Sequence, residues 1–202
     1  MVSSEFPNRV IEQAVQLATV SLECLSALAC QCPAQMPAYL AGGVEQLLLT
    51  ALRPTMPTPI ILQAIEWWSA MAELEARRHD GPTLTLASLD ALLPALLPLL
   101  VRSREQLAEM AWGEEQQQDE WNVPMAAGTA VGLLAEAVGD ELIRPLVVSF
   151  LDQINNGGDA CRQEAALMLL GSLLDGPSAE AVGPLLTRHF GQCLALLADP
   201  QA

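Results

Sequence analysis

Three pairs of landmarks in the second half of the chain share one spacing. Ala126 and Ala165, Gly132 and Gly171, and Pro145 and Pro184 each stand 39 residues apart. A period of roughly 40 residues holding two apolar helical stretches admits few folds, because one helical hairpin cannot bury its apolar face and must stack on similar hairpins. The stretch AAGTAVGLL from Ala126 aligns with AALMLLGSL from Ala165. Its residues Ala126, Ala127, Ala130 and Leu134 follow the helical period, and the small ones let neighbouring helices approach closely. The expected fold is all-α, an α–α superhelix of HEAT or armadillo type with about four to five hairpins, occupying residues 1–202 as one solenoid segment.

Composition agrees with that expectation. The chain is 51% hydrophobic but only 4% aromatic, with Leu and Ala prominent, which favours helices packed through aliphatic side chains over sheets. Short clusters of Pro, Gly, Asn and Asp divide the apolar stretches. Helices are expected near Asn8–Cys32, Pro37–Leu52, Pro59–Ala76, Leu84–Glu109, Asn122–Val138, Asp140–Ile154, Asp159–Leu174 and Ala179–Leu197. The first is long enough to be two helices fused or kinked. MPAYLAGGVEQLLLTAL reads as a first-type helix, as does LASLDALLPALLPLL continuing into VRSREQLAEM; PIILQAIEWWSAMAELE reads as a second-type helix.

Charge narrows the function classes. A net charge of −15 repels a phosphate backbone, and no stretch clusters arginines, so nucleic acid is not an expected partner. The same surplus attracts basic peptides. Cys24, Cys30, Cys32, Cys161 and Cys193 lie in apolar stretches and read as small core residues of a reducing compartment. Their spacing completes no zinc site, and neither a metal nor a cofactor is expected. No secretory leader is evident, Pro94 and Pro98 interrupt the most hydrophobic run, and no membrane insertion is expected. Catalysis finds little support: His79 and His189 read as surface residues without nucleophile or carboxylate partners at useful spacing, and no phosphate loop or nucleophile motif appears. The chain is not expected to be an enzyme.

The longest polar interruption is an acidic loop at about 113–121. It carries Glu114, Glu115, Asp119 and Glu120, with Trp112 and Trp121 near its ends. Carboxylates beside an indole suit a basic peptide: carboxylates accept charge-assisted hydrogen bonds from basic side chains, and an indole face holds a cation or an apolar stem. Glu66 and Glu73 are two turns apart on one face of the Trp-containing helix; on a concave face they extend the acidic track, with Trp67 or Trp68 beside them.

Three elements carry a more specific likeness: QAIEWWSAMAE at Gln63–Glu73, DEWN at Asp119–Asn122, and EAALMLLGSLLDGP at Glu164–Pro177. In order and spacing they resemble the importin beta (karyopherin beta) family, in its central HEAT repeats, from about Leu22 onward. The resemblance implies a nuclear transport receptor of cytoplasm and nucleus, associated with the nuclear envelope and pore. Its second-type helices would line a concave face that grips the basic importin-beta-binding segment of an importin alpha-like adaptor, or a basic cargo signal. The residues implied are Glu66, Trp68, Glu73, Glu114, Glu115, Asp119, Glu120 and Trp121. Ran-GTP and Phe-Gly nucleoporins are further implied partners. For Phe-Gly segments the expected groove is formed by Met36, Tyr39 and Leu40 on one first-type helix and Val10 and Ile11 on the preceding one. The chain departs from the family in Gln116, Gln117 and Gln118, which dilute the acidic run. It also reads as truncated at both ends, which predicts self-association through uncapped apolar flanks. A generic HEAT scaffold is the alternative, and it predicts that Trp67, Trp68 and Trp121 are all buried.

Overall fold

The computed structural model describes residues 5–78, 84–104, 121–156 and 159–198, with side chains from residue 9 onward. All regular structure among these residues is helical. Helix α1 is Glu5–Gln31. It runs without a break, since no Gly or Pro falls between Asn8 and Gln31 to interrupt it. The expected Pro37–Leu52 helix is instead divided into α2, Met36–Tyr39, and α3, Glu45–Ala51, by a π-helical turn at Leu40–Val44. Gly43 causes the division: its φ of 107° is a conformation that side-chain-bearing residues rarely adopt.

Helix α4 is Thr58–Ala76 and α5 is Leu84–Leu96. The expectation of one helix from Leu84 to Glu109 fails at Pro98. There the chain tightens into a 3-10 turn, Leu97–Leu100, and Val101 is extended, because proline withdraws a backbone donor. A buried carboxylate sets the start of α5. Glu75 accepts from the amides of Leu84 (2.7 Å) and Thr85 (3.1 Å) and from the Thr85 hydroxyl. A negative charge is favourable where first-turn amides lack helical partners.

Helix α6, Val123–Val138, is capped by Asn122, whose side chain accepts from the Met125 amide. Helix α7, Pro145–Leu151, is flanked by 3-10 turns at Gly139–Leu142 and Asp152–Asn155. Helix α8, Ala160–Ser172, is capped by Asp159, and α9, Ala179–Leu197, by Ser178. The 39-residue period therefore relates α6 to α8 and α7 to α9. One member departs in detail: Pro145 opens α7 whereas Pro184 lies inside α9.

The helices form two rows. Helices α1, α4, α6 and α8 pack in succession along the second row; α3, α5, α7 and α9 follow one another along the first. Among the described residues, first-row helices pair with the second-row helices that follow them in the hairpins α3–α4, α5–α6 and α7–α8. Helix α1 belongs to the second row, packed on α4, and so is not the first-type helix that the sequence suggested. The core runs continuously between the rows through Leu48, Ile65, Trp67, Trp68, Leu92 and Leu134. Close approach of α6 and α8 uses Gly128, where a Cβ would lie 2.9 Å from Met168 Sδ, and Ser172 donates to the Gly128 carbonyl at 3.1 Å.

Ion pairs tie the first row lengthwise. Arg144 lies 3.8 Å from Asp90, and Arg188 lies 2.8 Å from Asp152. Asp140 accepts from the amide (2.6 Å) and hydroxyl (2.9 Å) of Ser178, pinning the cap of α9 to the turn after α6.

Two sequence expectations change. Cys24, Cys30 and Cys32, on or just after α1, are exposed, and only Cys161 is buried. The stretch Arg9–Gln31 is long and apolar enough to cross a membrane by length and composition, with 11% of its most apolar window buried, a second apolar run beside the one that Pro94 and Pro98 interrupt. His189 is fully buried rather than on the surface, because α9 folds its ring over the 3-10 turn after α7. His79 lies outside the described residues.

The environment of His189 makes stability pH-dependent. Asn155 Nδ2 donates to Nδ1 at 3.2 Å, leaving Nε2 3.8 Å from Asp152 Oδ1. Burial pushes the imidazole pKa down; Asp152 partly opposes this and Arg188 adds to it. A histidine depressed in the folded state binds its proton more readily once unfolded. Its stabilising contribution is thus present above the ordinary value of about 6.5 and lost as pH falls through the lower folded value. His189→Gln is expected to remove that part of the acid loss. In urea titrations between pH 7.5 and 5, wild type should fall more steeply than the variant, by at most about 1.4 kcal/mol per pH unit.

Candidate functional site

Helix α4 is covered on three sides: by α1 and α6 within its own row, and by the first row behind. Only a narrow stripe reaches solvent, and it carries Glu66, Ala70 and Glu73. Opposite it, Asn122 caps α6 in an extended conformation and leaves the preceding Trp121 at the mouth of the α4–α6 cleft, 55% exposed. Glu66, Glu73 and Trp121 line one shallow cleft of about 250 Å³, floored by Ile65, Ser69 and Ala126. Residues separated by about 50 positions in sequence thus meet as two carboxylates facing an open indole.

Glu73 is already paired with Arg77 one turn on, but both side chains are well exposed, 49% and 70%. An exposed i, i+4 pair contributes only about 0.3–0.5 kcal/mol, so an incoming cation can displace Arg77. Glu66 has no ion-pair partner among the described residues.

Trp68 does not join them. It is fully buried beside Trp67, with ring centroids 5.0 Å apart at 85°. The reason is the coverage of α4 on three sides: both indoles are sealed in the core, so neither can offer a face to a ligand. Trp121, by contrast, is open, unlike the scaffold alternative's expectation of three buried tryptophans. Glu114, Glu115, Asp119 and Glu120 lie outside the described residues, as does Trp112.

Along the same row, Arg102 pairs with Glu164 at the start of α8, with the arginine side chain 10% exposed and the carboxylate 30%. Burial pushes the Glu164 carboxyl pKa up, outweighing the opposing charge and hydrogen bond of Arg102. Its partner arginine is committed to the fold, and Glu164 is not a free acceptor for a ligand.

The anticipated apolar groove is not built as drawn. Met36 and Leu40 are buried in the core, while Val10, Ile11 and Tyr39 are more than half exposed, and α1 stands in the other row. An open groove of about 410 Å³ lies elsewhere in the first row, between the end of α5 and α7, walled by Pro98, Val101, Leu146 and Phe150 with Arg162 at its rim. Sequence reading missed it because Leu146 and Phe150 keep the same helical spacing as core residues. Among the described residues no group of three His, Cys, Asp or Glu side chains is placed to hold a metal.

Paired helices in two rows, repeating every 39 residues and joined by a continuous core, define a HEAT-type α-solenoid. Within that class the chain is similar in sequence, over most of its own length, to importin beta, and shares its fold. It is 30% identical over 182 residues to importin subunit beta-1 of Schizosaccharomyces pombe, a match covering 82% of this chain and 20% of that protein. Importin subunit beta-1 of Arabidopsis thaliana is 30% identical over 198 residues, covering 92% and 22%. The chain therefore spans about a fifth of the length of these relatives. Among solved structures it superposes on yeast importin-beta (Kap95p) with a TM-score of 0.76 at 24% identity, covering 97% of this chain and 24% of that one. A Kap95:Nup1 complex matches with a TM-score of 0.76 at 24% identity, covering 98% and 24%. No protein-family model matches the chain.

Proposed function

We propose that this chain acts as a nuclear transport receptor segment that binds an arginine- and lysine-rich segment, of an import adaptor or of cargo, along its second-row face. The observation that carries the reading is the cleft where Glu66 and Glu73 face an exposed Trp121. A guanidinium stacked on the indole can reach the carboxylates with its remaining donors, a pairing that combines cation–π and charge-assisted hydrogen bonding. The net charge of −15 draws such a ligand in and excludes anionic competitors. The acidic residues Glu114, Glu115, Asp119 and Glu120 precede Trp121 directly in sequence and lengthen the negative track in this reading. Phe-Gly segments and Ran belong to the same reading as secondary partners; the apolar groove between α5 and α7 is the surface for Phe-Gly side chains.

The test is a titration with a synthetic arginine- and lysine-rich peptide at about 50 mM and 500 mM salt. Affinity should fall steeply with salt. Trp121→Ala should weaken binding by about 5–10-fold at low salt, and the double variant Glu66→Gln, Glu73→Gln by roughly 3–10-fold. No binding, or binding indifferent to salt and to all three substitutions, would overturn the assignment in favour of a generic scaffold.

A further inference from the structure

Ser69 lies on the floor of the α4–α6 cleft, between Glu66 and Glu73 on one helical face. It is 9% exposed, and its hydroxyl makes no hydrogen bond among the described residues. That sets it apart from Thr19, Ser26, Thr50 and Thr129, each of which donates to the carbonyl four residues earlier in its helix, the ordinary partner of a hydroxyl inside a helix. A buried hydroxyl without a partner is costly, so the position calls for a polar group that enters the cleft. The neighbouring groups say of what kind. Glu66 and Glu73 only accept hydrogen bonds, and the Thr129 hydroxyl on the α6 wall is already committed to the Met125 carbonyl. What the cleft lacks is donors.

We infer that this cleft selects arginine over lysine and that Ser69 determines the choice; the inference rests on the basic-segment reading above and names which basic side chain the cleft takes. Glu66 and Glu73 stand about 10 Å apart along the helix axis, with Ser69 between them. A guanidinium carries five donors spread over a planar fork and stacks its flat face on an indole, whereas an ammonium gathers three donors on one atom. Lying against Trp121, a guanidinium turns one edge to Ser69 Oγ while its other N–H groups reach the flanking carboxylates. An ammonium of the same charge meets one carboxylate at a time and leaves Ser69 without a donor. The chain already shows the pairing in miniature: Arg77, one turn along α4, holds Glu73 with its guanidinium, and the entering arginine takes over that carboxylate. Methyl groups on the guanidinium keep its charge but remove donors. Asymmetric dimethylation of the ligand's arginines therefore weakens binding, even though a methylated cation still suits an aromatic face.

Synthetic peptides of one length and one charge test this, their basic positions being all arginine, all lysine or all asymmetric dimethylarginine. Binding to the full chain is titrated at about 50 mM salt. The arginine peptide should bind about 10-fold more tightly than the lysine peptide, and dimethylation should lower its affinity by about 5-fold or more. Ser69→Ala should lower the arginine affinity by roughly 3–10-fold and the lysine affinity by less than about 2-fold. The substitution removes a hydroxyl that has no partner and installs a better helix former, so the melting temperature should not fall. The peptide series on the wild-type chain decides the matter independently of that variant. Arginine and lysine peptides that bind equally, both still weakened by Trp121→Ala, would overturn the inference and leave the basic-segment reading standing. So would a dimethylated peptide that binds as tightly as the arginine peptide, or a Ser69→Ala chain that keeps the full preference for arginine. Absence of salt-sensitive binding by any of the peptides would remove both.

Discussion

Replacing Gly176 with alanine is expected to destabilise the fold by about 4 kcal/mol or more, lowering the melting temperature by roughly 8–16 °C for a chain of this size. Gly176 has φ of 112°, and a Cβ built there would lie 2.2 Å from the Ala135 carbonyl oxygen and 2.6 Å from the Glu136 amide nitrogen. Both of those are backbone atoms of α6 and cannot swing aside as a side chain would. The turn between α8 and α9 must press directly on α6 so that Ser178, two residues on, can bond Asp140. Alanine would push that turn outward, break the Asp140 clamp and loosen the stacking of one hairpin on the next. Gly171, where an added Cβ meets nothing within 4 Å, supplies the contrast: Gly171→Ala in the last turn of α8 should be neutral or slightly stabilising. Thermal melts of the two variants check both.

The second large effect separates two tryptophans. Trp68→Ala should cost about 3–5 kcal/mol, because it empties a fully buried site and removes the edge-to-face contact with Trp67. Trp121→Ala should change stability by no more than about 0.5 kcal/mol, since the ring is 55% exposed, while weakening the basic peptide as described above. Denaturant unfolding and peptide titration on both variants would show the split. If Trp121→Ala unfolded the chain as readily as Trp68→Ala, the indole would be a core residue, and the cleft would lose its cation-binding face.

The contrast also shows where sequence is informative and where it is silent. The 39-residue spacing was enough for the two-row architecture because stacking hairpins must repeat their small residues and prolines in register. The bounds of α9, and of α4 and α6 to within a residue, followed from caps and prolines next to them. What failed was the assignment of faces. In WW at Trp67 and Trp68, both rings are buried only because α4 has neighbours on both sides in its row, a consequence of stacking that no local pattern reports. Helix α1 looked like a first-type helix from its own residues; only its packing on α4 assigns it to the second row, and with that the Val10, Ile11, Met36 and Leu40 groove dissolves. Glu75 reads as one more acidic residue on a helix, and its burial arises from the amides at the start of α5 that it caps. Glu66, Glu73 and Trp121 were legible as a set because acidic residues at helical spacing and an aromatic before an Asn cap both leave local marks.

The central claim is that a basic segment lies in the cleft between α4 and α6, against the Trp121 ring. Tryptophan side-chain N–H resonances test it most directly: the chain has 4 tryptophans, each assignable by single substitution, and two of those described, Trp67 and Trp68, are sealed in the core. Adding an arginine- and lysine-rich peptide at low salt should shift the Trp121 resonance in a saturable way, leave Trp67 and Trp68 nearly unmoved, and be reversed by salt. A peptide that binds while the Trp121 resonance stays in place, or that perturbs the two buried indoles most, would contradict it.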